Sequence, residues 1–152
     1  MAYAVVAYLH FLAIFLLFAL LTLEHQLFRL PLTLDRARSL FRIDIAFGIT
    51  AAVVLLTGAA RAIRYGKGMD YYLLNSAFHA KVSLFVIVAL LSIYPTVTFL
   101  RWRNALKAGQ VPHVSPATGR WVTWVIRVEL LLLMLIPLLA ALMARGFGVI
   151  TR

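Results

Sequence analysis

Four runs of about twenty mostly apolar residues constrain this chain more than any other feature, because a helix needs roughly that length to cross a bilayer. The runs are continuous rather than alternating. Inside lipid, a continuous apolar segment satisfies its backbone N–H and C=O groups by becoming a helix. Hydrophobic residues make up 64% of the 152 positions, against roughly half in soluble domains. The expected fold is an all-α integral membrane protein, a four-transmembrane-helix bundle with both termini on the same side. Residues 1–152 form a single transmembrane domain, too short to hold a second.

The expected helices cover about 3–29, 33–65, 71–100 and 120–145. The first opens the chain as "MAYAVVAYLHFLAIFLLFALLT". This segment lacks a basic leader and is too long for a signal-peptide core, so it reads as a retained span. Pro31 ends it, because a proline ring cannot continue the helical ladder. Thr33 is a candidate N-cap for helix 2, with Asp35 in the first turn. Glycines break the pattern at "RYGKG". Pro95 and Pro137 are candidate kinks in helices 3 and 4, and "NALKAGQVPHVSPATG" between those helices reads as loop.

The net charge is +10, from 15 Lys+Arg against 5 Asp+Glu. The basic residues lie mostly in short loops, where they set orientation and meet anionic lipid headgroups. Membrane lipids, rather than nucleic acid, are therefore the expected partners. Eight basic residues (Arg29, Arg36, Arg38, Arg42, Arg101, Arg103, Lys107, Arg120) fall on one side, and five (Arg61, Arg64, Lys67, Arg145, Arg152) on the other. The positive-inside rule then places both termini outside the cytoplasm. Tyr71, Tyr72, Trp102, Trp121 and Trp124 fall near span ends, as interfacial aromatics do. The chain has no cysteine, which excludes disulfides, thiolate catalysis, iron–sulfur clusters and cysteine-bound zinc. It carries no His-Glu-x-x-His element, phosphate loop or nucleophile elbow.

Ionisable residues at membrane depth are costly and point to function. His10 lies about 10 Å into helix 1 and His79 about 12 Å into helix 3, at 1.5 Å per residue. Both helices start on the same side, so the two imidazoles sit at nearly one level. They can face each other across the bundle as axial ligands of a haem iron, or each can bond a nearby backbone or hydroxyl group. On helix 2, Gly48, Ala51, Ala52, Leu55 and Ala59 offer a face of small residues for close packing or a flat macrocycle. Lys81 is about 200° around the helix from His79. It either snorkels to the interface or turns inward to hold an acidic group and exchange protons. Nearer the basic side, Asp44 with Arg127, or Glu129 with Arg42, can pair between helices 2 and 4. The same group can instead line a proton or ion path. Glu24 and His25 read as a solvated helix end, with His25 and Arg29 on one face, and His113 reads as a surface loop residue.

The segments "YLHFLAIFLLFALLTLEHQLFR", "RIDIAFGITAAVVLLTG" and "NSAFHAKVSLFVIVALLSIYP" together resemble a family of small predicted four-helix bacterial membrane proteins of unknown function. More distantly, the helix-1 histidine and the "HAK" element are similar to those of HemJ-type protoporphyrinogen oxidases, and to membrane domains of copper-resistance proteins. The HemJ resemblance implies that His10 binds haem b and that Lys81 matters for activity. The resulting expectation is a haem b-binding redox protein of the bacterial inner membrane, with His10 and His79 on the iron and Lys81 in a catalytic role, acting on a porphyrin. Two other readings stay open: a non-catalytic accessory subunit of a larger membrane complex or homo-oligomer, and a proton or ion pathway protein.

Overall fold

A computed structural model describes residues 1–64 and 73–148. The long helices are α1 (Ala2–Leu27), α2 (Leu34–Ile63), α3 (Ser76–Arg101) and α5 (Pro116–Ala144), with a short α4 (Arg103–Lys107) after α3. All four are long and apolar enough to span a membrane. Their surface is inverted relative to a soluble protein. Phe15, Leu56, Leu90 and Leu131 face outward, while Glu24, Asp44, Thr50, Asn75 and Glu129 are buried. Apolar side chains meet lipid and polar ones meet each other, as a bilayer solvent requires.

Local chemistry sets the helix starts. Thr33 caps α2 as expected, its hydroxyl accepting from the Arg36 N–H at 3.4 Å. The third span begins at Ser76 rather than 71, where Asn75 caps it by accepting from the Phe78 N–H at 3.1 Å. Tyr71 and Tyr72 lie outside the described residues. The last span begins at Pro116, four residues earlier than expected. Ser115 accepts from the Thr118 N–H at 3.1 Å, and Pro116 takes a first-turn position where its missing N–H costs nothing. Pro95 and Pro137 lie inside continuous helix and stop neither α3 nor α5.

α1 packs closely on α2, and α3 on α5. The two hairpins join more lightly through α1–α5 and α2–α3, leaving α1 and α3 diagonal. The inward residues follow three- and four-residue steps. On α1 they are Ala13, Leu17, Leu21 and Glu24; on α2, Ala37, Leu40, Asp44, Phe47, Thr50 and Val54; on α5, Gly119, Val122, Ile126, Glu129 and Leu133. At the basic face Phe28 and Trp102 stack, and Phe99 packs tilted against both. Trp102 is therefore core, 6% exposed, rather than an interfacial anchor. Trp121 and Trp124 are exposed at that same face, as expected. The small-residue stripe expected on α2 is not the packing face: Gly48, Ala52, Leu55 and Ala59 are exposed, and a Cβ on Gly48 would meet nothing within 4 Å.

Packing is uneven along the bundle. Among the described residues, none of α1 before Ala13, none of α2 after Val54 and none of α5 after Leu133 is buried. The half nearest the basic loops is filled, whereas in the half nearest the termini, the open half, the buried residues are Asn75 and Ala77 at the start of α3. The C-terminal segment is tied to the open end. Gly148 O accepts from the Ser76 N–H at 2.8 Å, and Asn75 Nδ2 donates to Phe147 O at 3.4 Å. Gly148 has φ +86°, and a Cβ there would stand 2.9–3.1 Å from Ser76 Oγ, Ala77 N and Asn75 Oδ1. Gly148→Ala should therefore undo this tie at a cost of about 1–2 kcal/mol. Faster amide exchange at Ser76, with the other helices unchanged, would show it; unchanged exchange would mean that the tie bears no strain.

Candidate functional site

Two polar centres lie on the inward stripes, one in each half of the bundle. The first surrounds His10. Extending the α1 stripe back from Ala13 by three residues reaches this position, and the matching stripe on α2 runs on from Val54 to Thr57, Gly58 and Arg61. His10 Nδ1 lies 2.9 Å from Thr57 Oγ1. Thr57 Oγ1 also lies 2.6 Å from Val53 O. A carbonyl can only accept, so the single hydroxyl proton goes to Val53, and Thr57 offers a lone pair to His10. Nδ1 therefore carries the imidazole proton in this arrangement, and Nε2 keeps its lone pair. Gly58 permits the close approach: a Cβ there would stand 3.1 Å from His10 Cε1.

Positive charge gathers at this centre. Arg61 lies over the Phe11 ring at 5.0 Å, and Lys81 Nζ lies 5.2 Å from the Phe78 ring centroid. Arg61 and Lys81 both stand within electrostatic reach of His10. Lys81 falls on the α3 stripe between buried Ala77 and Val88, so it turns inward, the second of its two expected placements. His79 is not brought to the same centre. It is exposed, and its Nε2 donates to the Leu73 carbonyl at 2.9 Å. The equal depth of the two histidines held no information about direction, and the 200° between positions 79 and 81 sends only one of them inward.

The second centre lies in the filled half. Glu24 of α1 is 1% exposed, Asp44 of α2 4% and Glu129 of α5 0%. Glu24 lies within electrostatic reach of both other carboxyls. α3 contributes hydroxyls: Thr96 donates to Asp44 Oδ1 at 2.7 Å, and Ser92 Oγ lies 2.5 Å from Glu129 Oε1. The expected pairs of Asp44 with Arg127 and of Glu129 with Arg42 do not form. Arg42 and Arg127 are exposed, and Arg127 Nε donates to His25 Nε2 at 3.2 Å. Two residues along a helix is about 200°, so Arg42 and Arg127 point away from Asp44 and Glu129. Nor is Glu24 a solvated helix end. Position 24 continues the 13-17-21 stripe, and that spacing was the available signal for its burial. Arg29 turns to Gln26 Oε1, 3.0 Å away, rather than to His25. His113 is exposed in the loop, as expected.

Residues 2–148 match the family described as predicted membrane protein (DUF2214), and the chain belongs to that family. No curated protein and no solved structure matches the chain.

Proposed function

We propose that this DUF2214 protein binds haem b in the open half of its bundle, where His10 would hold the iron, and serves as a redox protein of the bacterial inner membrane. The observation that carries this reading is the Thr57 hydroxyl, which engages His10 Nδ1 and leaves Nε2 as the ligating atom. A hydrogen-bonded second nitrogen is the usual support of a metal-bound histidine. The HemJ resemblance of His10 and "HAK" supports the same group.

The residues present fit a haem held by one histidine of this chain. His79, committed to Leu73 and turned outward, does not fit the second ligand position. Haem supplies a one-electron couple whose potential follows its axial ligand, charge and burial. The chain supplies the rest. Thr57 orients the imidazole, and Gly58 leaves room beside it. Lys81 and Arg61 offer two cations to the propionates, which are otherwise costly to hold at membrane depth. If the substrate is a porphyrin, its carboxylates call for the same cations, and this is the role assigned to Lys81 in activity. The basic face lies toward the cytoplasm and both termini outside it.

The test is an absorption spectrum of protein purified in mild detergent from haem-supplied cells, before and after dithionite. A Soret band that sharpens and shifts on reduction is the expected result. A featureless visible spectrum would overturn the reading and favour an accessory subunit, recovered colourless with a stable partner.

A further inference from the structure

The carboxyl centre plays no part in the haem reading. Its three acidic groups come from three different helices, and α3 closes it with hydroxyls alone. Among the described residues no arginine or lysine pairs with any of them. The titratable groups facing Glu24 are Asp44 from α2 and Glu129 from α5. α3 presents Ser92 and Thr96, and α4 buries Leu106. Arg127, two residues from Glu129, is exposed and engaged by His25.

Two observations say what neutralises this cluster. Glu24 is fully buried with both carboxyl oxygens unpartnered, and Glu129 Oε2 is unpartnered as well. An ionised carboxylate in such a place is uncompensated, whereas a neutral one costs far less. The second observation is a proton count. Ser92 Oγ lies 2.8 Å from Val88 O and 2.5 Å from Glu129 Oε1. One hydroxyl carries one proton, and a carbonyl can only accept. Both contacts are satisfied when Ser92 donates to Val88 and a protonated Glu129 donates to Ser92.

We propose that Glu24, Asp44 and Glu129 form a membrane-buried proton-binding site, with protons resident on Glu129 and Glu24 and exchanging through the basic face. Access lies beside His25, the chain neighbour of Glu24. Its partner Arg127 lines an open groove of about 820 Å³ with Phe28, Leu30, Trp121 and Trp124. Arg127 Nε–H donates to His25 Nε2, so that nitrogen is not free to take up a proton, and exchange is with water of the open groove. Binding needs no co-reactant: a carboxylate oxygen takes up a proton from water and releases it there.

The composition makes the test direct, because Glu24 and Glu129 are the two glutamates in the chain. Full-length protein carrying glutamate labelled with carbon-13 at the side-chain carboxyl, in lipid nanodiscs, should give two carboxyl signals by magic-angle-spinning NMR. At neutral pH both are expected at the protonated position. Glu129→Gln, a neutral isostere, removes one signal and assigns the other to Glu24. Signals at the carboxylate position at neutral pH in the unmodified protein would overturn the proposal, whether or not the variant folds. So would movement to the carboxylate position on adding sodium or lithium at fixed pH, which would make the ligand a metal cation. Haem content bears on neither outcome.

Discussion

His10→Ala should abolish haem absorption, while His79→Ala should leave it intact. The two histidines sit at similar depths but have different partners. His10 is held by a threonine that keeps Nε2 free, and His79 spends Nε2 on a loop carbonyl. On the haem reading, His10→Ala takes away the one ligand that this chain would offer the iron. Removing His79 costs one exposed hydrogen bond, about 1 kcal/mol or less. Thr57→Val is the intermediate case. It keeps the shape of the side chain and loses the hydroxyl, so haem affinity should fall roughly 10- to 100-fold, the usual effect of losing such a support. The readout is Soret absorbance per mole of protein for each variant, with circular dichroism to confirm insertion and helix content. Equal loss of pigment in His10→Ala and His79→Ala would restore two-histidine ligation. Full pigment in His10→Ala would remove haem from this centre altogether.

The spans were legible because length and apolar content decide them, and Thr33 was legible as a cap because its chemistry is local. Ser115 carried the same kind of signal in "SPAT", but a polar loop composition masked it, and the helix began earlier than expected. The inward faces were harder. A helix in lipid is apolar all round, so hydrophobic periodicity says little, and the polar residues must mark the core. Depth alone paired His10 with His79. Spacing would have paired His10 with Glu24, fourteen residues and nearly four turns apart on one stripe through Ala13, Leu17 and Leu21. The same spacing separates inward Lys81 from outward His79. Ion pairing of Asp44 with Arg127, or Glu129 with Arg42, was expected because the four lie at one level on two helices, yet the 200° between positions 42 and 44, and between 127 and 129, turns each arginine outward when the carboxyl faces in.

Phe99→Ala should be the most damaging apolar truncation among these packed residues, and Phe15→Ala nearly silent. Phe99 is fully buried, 5.8 Å from the Phe28 ring and 4.8 Å from the Trp102 ring between centroids. These rings join the turn after α1 to the end of α3, so the cavity opens where the two hairpins meet. In a soluble core this change costs about 3–5 kcal/mol, of which one part is transfer from water and another is the cavity. A membrane helix keeps its side chains in lipid when the bundle comes apart, so the transfer part largely disappears and lost packing remains. The expected cost is therefore about 2–3 kcal/mol, at or below the lower end of the soluble range. Phe15 is 72% exposed and faces lipid in both states, so its truncation should cost within about 0.5 kcal/mol. Unfolding in mixed micelles with increasing dodecyl sulfate, followed by tryptophan fluorescence, gives both values. A large loss for Phe15→Ala would mean that its face packs against another protein instead of lipid. A negligible loss for Phe99→Ala would mean that the basic end of the bundle is held by its helices alone, without the aromatic cluster.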